Sequence, residues 1–515
     1  MYASQYVDAF QGLRARMAGS STRDVAKAFT QATGLNNYDL SPLAKLIYPV
    51  PTPLRKLLSR VDRNNGDVAT HWKSITSINP TGVMGVLDEG KRGGIISNQV
   101  NDYLGTYATL GFDNNASFQA DWSSKNFDSA KEQSVLSLLH ALMIYEEKTT
   151  LRGNRSLALG VTPTPSLTAS VAGGTIADNT AVYVGVIALT AEGYDLNTMT
   201  TGILQAYTRT NGDSTTTTIN TGSAKPSTSA PTVTTGTTGS NANSVAASIV
   251  PVQGAAAYAW FWGPNASTGC VLGAITTVAN VVITVAAGTS TGTPGIVAFS
   301  SLTNTDNSQN ALAFDGLNSL ALGAGLQVGA QSSGALVVAQ NGSFTASGSA
   351  GVNEVDSDLL YFWNNWRLGP SHIFVSAQDL KDLNRSVIGN GGAPLFRFNT
   401  DRAAAAGEEV PNGVLSANAV IGSYLNPFTQ TLIKLQVHPN QTPGTMTYFT
   451  ADLAPYYQFT NQAVPAEMRV RQDYWQIEWA RTKPAYEFGI LCSEVLCHYA
   501  TFTLGVRYNI TPLAN

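Results

Sequence analysis

The chain has 515 residues, a formal net charge of -4, and 12% charged residues against 43% apolar ones. That length exceeds what one hydrophobic core organises, so two or three domains are expected, and the apolar content excludes a disordered polymer. The slightly acidic balance argues against a dedicated nucleic-acid binder with a basic stripe. It leaves room for a container whose inner wall tolerates packed DNA.

The opening MYASQYVDAF carries an early Asp8 and no apolar core, so no signal peptide is read. The most apolar run, Val278–Ala287, falls short of the roughly 20 residues a membrane span needs. Cys270, Cys492 and Cys497 make no disulfide framework and fit a reducing cytoplasm.

In chain order, residues 1–60 read as an extended arm with short helices, in which Val7, Phe10, Leu13 and Met17 recur at helical spacing. Pro49, Pro51 and Pro53 alternate along Tyr48–Pro53, which disfavours helix and predicts an extended path. From Thr70 to Asp121 the signals are strand and turn. At their centre, glycines flank a charged tip of Asp88, Glu89, Lys91 and Arg92, with apolar residues on both sides. That pattern predicts a long two-stranded excursion. An isolated hairpin is marginal in water, so this one is expected to rest on a neighbouring subunit.

Ser129–Arg152 is the strongest predicted helix. Ser129 and Glu132 form a capping-box pattern, Val135, Leu138, Leu139 and Leu142 share one face, and Gly153 is placed as the C-terminal cap. Composition then shifts. Between Gly160 and Lys225 the charges are Asp178, Glu192, Asp195, Arg209, Asp213 and Lys225, and none follows until Asp306. The apolar runs Val182–Leu189 and Ala257–Trp262 alternate with Gly, Asn and Thr turns, which predicts a β-sandwich. Ser214–Asn243, nearly pure Thr, Ser, Gly and Asn, is expected as long exposed loops or edge strands.

Further on, Leu359, Trp363 and Trp366 form a helical stripe, and Ile373–Val375 is a short strand leading into a helix capped by Ser376–Asp379. Trp475, Ile477 and Trp479 alternate with polar positions, as do Ala500 to Ile510, predicting two half-buried strands at the end.

This order of pieces resembles the major capsid proteins of tailed bacteriophages, the Hong Kong 97-like fold shared with encapsulins, over residues 40–155 and 300–515. Glu146–Asn154 resembles the end of that family's spine helix, Phe314–Leu317 the phrase after it, and Pro370–Ser376 the strand entering the axial domain. Arg471–Trp479, Tyr486–Ile490 and Leu504–Ile510 are similar to the C-terminal part of many phage capsid subunits. The resemblance implies an α+β fold with an inserted all-β immunoglobulin-like sandwich. Its parts would be an N-terminal arm (1–64), an extended hairpin loop (65–126), a peripheral domain with the spine helix (127–159), the sandwich (160–300) and a connection (301–354). An axial domain (355–465), peripheral strands (466–498) and a final strand returning to the axial domain (499–515) would follow. The insert is similar to fibronectin-type or bacterial immunoglobulin-like modules, notably in Pro251–Tyr258.

The function implied is a non-enzymatic shell subunit, forming pentamers and hexamers around double-stranded DNA within the virion, assembled in the host cytoplasm. Implied partners are copies of itself, scaffolding and portal proteins, decoration proteins and nonspecific DNA, with no membrane and no cofactor. The sandwich is expected to project from the outer face and to be dispensable for folding. Some family members crosslink a loop lysine to an asparagine with a glutamate as base. Lys91 is the candidate in this loop, and a salt bridge or solvated charge is the simpler reading.

No catalytic or metal constellation is read. Gly85–Arg92 approaches a phosphate-binding loop, but Arg92 replaces the required hydroxyl and Asp88 and Glu89 would repel the ligand. Gly323-Ala324-Gly325 completes no dinucleotide motif. Cys492, Cys497 and His498 have the wrong spacing for a metal site, and His71, His140, His372 and His438 stand without a nucleophile elbow. Two alternatives stay open: an encapsulin-like compartment shell, and a secreted adhesin or carbohydrate-binding β protein based on residues 160–300.

Overall fold

A computed structural model describes residues 51–62, 66–124, 129–237, 239–266, 269–292, 294–323, 335–347, 351–389, 422–453, 464–481 and 483–513. The N-terminal helices expected before residue 50, Pro49 and most of Gly323–Gly325 lie outside them.

The described chain begins with a short helix α1 (Pro53–Leu57) and strand β1 (Ser59–Asp62). The expected extended path through the prolines therefore stops at Pro53, which opens α1. At the first helical position its missing N–H costs nothing, because that donor would have no partner in the helix. Strands β2 (Ala69–Ile78) and β3 (Asn98–Thr106) pair as an antiparallel hairpin, from Ala69 opposite Thr106 to Ile78 opposite Asn98. β4 (Ala108–Ser117) leaves the hairpin for a separate sheet and is followed by α2 (Phe118–Ser124).

The spine helix α3 (Ala130–Arg152) starts where the cap predicts, with the Ser129 hydroxyl accepting from the Glu132 amide at 3.3 Å. At its end Gly153 has φ -50°, so a left-handed cap is not the reason for the glycine. A Cβ at Gly153 would run into the Phe314 carbonyl and lie 2.7 Å from the Thr149 carbonyl. The chain departs here into its insert and returns at Gly316, whose amide donates to the Gly153 carbonyl at 2.8 Å.

The insert contains β5 (Ser166–Ser170), β6 (Ala181–Leu189), α4 (Ala191–Leu196), β7 (Ala206–Thr210), β8 (Thr216–Asn220), β9 (Thr232–Thr234), β10 (Ser244–Ser248), β11 (Ala257–Gly263), β12 (Val271–Thr276) and β13 (Asn280–Ile283). Sheets β13-β10-β5 and β12-β11-β6-β9 enclose Val182, Val184, Val186, Val245, Ala247, Tyr258, Trp260 and Trp262. The opposite side of β6 and β11 is also covered. Ile187, Leu189, Ala259 and Phe261 pack with Cys270 and Leu272 against Phe299, Tyr194 and Met199. Burial on both faces explains why these two strands read as continuous apolar runs. Within the Thr-rich stretch β8 pairs with the preceding β7 as a hairpin and β9 is a short edge strand, but Thr221, Ser223, Ala224 and Ser227 are buried, against the expectation of exposed loops or edge strands throughout.

After the insert come α5 (Leu317–Leu322), β14 (Leu336–Gly342), α6 (Asn353–Trp366), β15 (His372–Val375), α7 (Ala377–Gly389), β16 (Ser423–Leu425), β17 (Leu432–Val437) and β18 (Met446–Phe449). The last strands are β19 (Ala466–Glu478), β20 (Ala485–His498) and β21 (Gly505–Ile510). Two sheets organise this part, β1-β19-β20-β4 against the spine and β14-β21-β18-β15-β17-β16 beside it. One face of the second sheet packs Ile373, Val375 and Tyr448 with Leu359 and Phe362 of α6. The other face gives Phe374, Phe449, Val506 and Tyr508 to the core that holds the spine's Leu138, Leu142 and Leu151.

β21 was expected to be half-buried, and all six of its residues are buried. It sits between β14 and β18 with both faces covered. Its polar positions are satisfied internally: Arg507 donates to Asp358 at 2.6 and 2.8 Å, and Tyr448 donates to the same carboxylate at 2.7 Å. In β19 the first five residues are all buried, and the alternation expected farther on fails: Trp475 is exposed, Ile477 is only partly buried, and Trp479, just past the strand, is exposed.

Candidate assembly surfaces

Beyond the last paired residues of β2 and β3 the chain makes an excursion over residues 79–97 whose two limbs lie side by side without a ladder. Gly93 and Gly94 permit this approach, because a Cβ at Gly93 would lie 2.8 Å from Leu87 Cδ2 and one at Gly94 would collide with Val83. The far end is a tight turn. Lys91 donates its amide to the Asp88 carbonyl at 3.1 Å, and Gly90 at φ 75° occupies the position that demands a left-handed residue.

All four candidate residues of the tip are exposed. Lys91 Nζ stands 2.6 Å from Asp88 Oδ2 across the turn, an exposed pair worth little to stability. The apolar neighbours are unburied: Met84 is 82%, Val86 86% and Ile95 93% exposed, with Leu87 and Ile96 also in solvent. The base of the hairpin is anchored by Trp72, which lies 6.0 Å from both the Tyr103 and Tyr499 rings with Arg469 over its face at 5.5 Å. A fixed base thus carries an apolar end that the described residues leave uncovered.

Of the arm candidates, Pro51 is exposed and Pro53 starts α1. What holds this segment is a buried ionic cluster that the tip charges do not join. The Glu147 carboxylate accepts from the Leu54 and Arg55 amides at 2.7 and 2.8 Å, satisfying two open donors at the start of α1. His438 Nε2 stands 2.8 Å from the same carboxylate. Next to it Glu146 receives Arg55 Nε at 3.2 Å, Arg60 Nη1 and the Tyr474 hydroxyl. Arg60 also lies 3.1 Å from Glu494 Oε2 and donates to Asp473 Oδ1 at 3.0 Å, its guanidinium 4.8 Å above the Tyr474 ring.

Burial raises the Glu146 and Glu494 carboxyls above the ordinary range, and the arginines only partly oppose it. The nearby charge of Glu146 raises Glu494 further. β1 completes the attachment by pairing in parallel with β19, Ser59 opposite Glu467 through Asp62 opposite Val470.

In the sequence Glu146, Glu147 and Tyr474 stand within family-like motifs with no role of their own, and Arg55, Arg60 and Glu494 stand in none. A signal was present. Leu138 and Leu142 lead at helical spacing to Glu146, and Glu494 interrupts the apolar strand Phe488–Cys497. A carboxylate on an apolar face needs a partner. Among the described residues no group of three or more His, Cys, Asp or Glu side chains is placed to hold a metal, and no helix is long and apolar enough to cross a membrane.

No protein-family model matches the sequence, and no curated protein does. Among solved structures the chain is similar to a capsid subunit of the native GTA particle, at 8% identity and a TM-score of 0.42, covering 93% of this chain and 96% of that one. It is similar to the capsid of Myoviridae phage XM1 at 8% identity and TM-score 0.38, covering 92% and 97%. The capsid of cyanophage P-SCSP1u gives 6% identity and TM-score 0.37, covering 92% and 93%.

Proposed function

We propose that this chain is the major capsid protein of a tailed phage, a shell subunit whose copies form five- and six-membered rings around double-stranded DNA. The observation that carries the reading is the hairpin end at residues 79–97. Five large apolar side chains (Met84, Val86, Leu87, Ile95 and Ile96) stand in solvent on a projection fixed at its base.

Burying each would contribute about 1.5–3 kcal/mol, so one hairpin supplies on the order of 10 kcal/mol. Bringing two proteins together costs about 4–15 kcal/mol. One lap is therefore marginal, and a closed array in which every copy gives and receives laps is stable through multivalency. A hairpin docking on a different surface of the next copy makes a heterologous contact, which forms rings where the rotation between copies closes. Scaffolding, portal and decoration proteins and nonspecific DNA remain the expected partners. The role is mechanical and requires no catalytic residue.

An immunoglobulin-like identity for the insert is supported by two features. Its larger sheet runs β12-β11-β6-β9, with two consecutive late strands paired and an early strand beside them, as strands G, F and C lie in such sandwiches, while β13 crosses to pair with β10. Tyr258, near the start of β11, accepts the Val252 amide on its hydroxyl at 2.9 Å, as a tyrosine corner does.

Electron microscopy of the purified full chain, with mass photometry across concentration and salt, tests the proposal. Closed particles of defined diameter are expected. A monomer that forms none under any condition overturns it.

A further inference from the structure

The insert leaves and rejoins the chain at one base, through the Gly316 to Gly153 hydrogen bond. A module held only there would be free to swing. Contacts on four elements oppose that.

On the spine, Asp195 Oδ2 of the insert lies 3.1 Å from Lys148 Nζ and 2.5 Å from Arg152 Nη1. Toward the six-stranded sheet, the Ala279 amide at the β12–β13 turn donates to Asn509 Oδ1 in β21 at 2.6 Å. Asn509 is itself held, at φ 60°, with Nδ2 donating to the Gln340 carbonyl at 2.6 Å. Gln253 Nε2 donates to the Leu322 carbonyl of α5 at 2.5 Å. At the sheet that carries β4, the tip of hairpin β7–β8 comes so close that a Cβ on Gly212 would lie 3.2 Å from Asp113 Oδ2.

The sandwich has its own cores, separate from those of the two capsid-type sheets. A crevice lined by Arg152, Asn154, Gly254, Ala255, Thr442 and Tyr508 runs between them. Polar struts therefore span this junction, and a rigid body tied at several separate elements cannot pivot about any one.

We infer that the inserted sandwich is an internal brace, which reinforces from outside the shared core of Leu142, Phe374 and Phe449 and so holds the spine and its sheet at a fixed angle to the six-stranded sheet. This departs from the expectation of a dispensable projecting module. In the shell reading, on which the second arm of the test rests, that angle sets the curvature between adjoining rings.

The test uses the full chain with Asp195→Asn and, separately, Gln253→Ala, both on the sandwich side and outside its cores. Amide hydrogen exchange is read at Ala279, whose donor bond to Asn509 lies on a different strut from either substitution. A brace couples its struts, so exchange at Ala279 should rise about tenfold, the equivalent of one hydrogen bond. Amides of β6 and β11 should stay unchanged, showing the module still folded. Unchanged exchange at Ala279 in both variants overturns the brace. In the second arm, electron microscopy of variant particles should show a broadened diameter distribution. Particles as uniform as the parent's, alongside raised exchange, overturn the curvature role. If the parent chain forms no particles, the shell reading falls and the exchange arm judges the brace alone.

Discussion

Arg60 stands between two carboxylates, Glu146 and Glu494, whose side chains are 2% and 0% exposed. Above about pH 8, where Glu494 is ionised, breaking this buried cluster from one side leaves uncompensated charge, which typically costs about 3–5 kcal/mol. Arg60→Ala should therefore lower the urea-unfolding free energy of the dissociated subunit there by roughly 3 kcal/mol. Arg481→Ala, on an exposed residue paired with Glu478 at 3.5 Å, should change it by less than about 0.5 kcal/mol. The pH dependence follows from the same cluster. Burial raises both carboxyls in the folded state, Glu494 further through the charge of Glu146. The native state thus keeps protons that the unfolded state releases above about pH 4.3, so this contribution is complete below that pH and is lost as pH rises through the raised values. Unfolding midpoints measured between pH 5 and pH 8 should fall less in Glu494→Gln than in the parent. An equal or steeper fall would mean Glu494 is not the group responsible. The cluster was half legible in the sequence: a carboxylate on an apolar stripe announces a partner, but nothing in residue spacing says that the partner is an arginine on the arm.

At the scale of elements, periodicity located the spine helix and its start to within a residue, because both the cap and the apolar face are local signals. The reason for Gly153 was not local. Its backbone is not left-handed, and the space a side chain needs is taken by the Phe314 carbonyl of the returning chain. Gly153→Ala should therefore destabilise by more than the roughly 1 kcal/mol expected for removing the cap with Ser129→Ala. Thermal unfolding of the two variants checks the order; equal effects would restore a simple capping role for the glycine. Strand β21 failed the half-buried expectation for a related reason. Arg507 and Asn509 look like solvent-facing positions until Asp358 of α6 and Gln340 of β14 are brought against them by tertiary packing. The continuous apolar runs of β6 and β11 did carry their message, since only strands covered on both faces lack the alternation seen at the sheet surface.

For the whole molecule, the decisive feature is a mismatch between local order and burial. Residues 79–97 are shaped by a glycine-dependent turn and close limb packing, yet their large apolar side chains meet solvent. Surface positions of this kind contribute almost nothing to the stability of the isolated subunit, so charges placed there should be silent in folding and costly in assembly. The double variant Val86→Asp, Ile95→Asp should unfold within about 0.5 kcal/mol of the parent, because neither side chain is buried in the subunit. It should nonetheless fail to form closed particles, because each lap would then have to bury two carboxylates instead of apolar surface, at a cost of several kcal/mol per lap multiplied around every ring. Lys91→Ala, which removes only an exposed ion pair, should assemble normally. Sedimentation of the variants beside the parent separates the two effects. A Val86, Ile95 double variant that still sediments as shells would mean that the hairpin end is not where copies meet, and a variant already destabilised as a monomer would mean that the apolar residues serve the subunit's own fold.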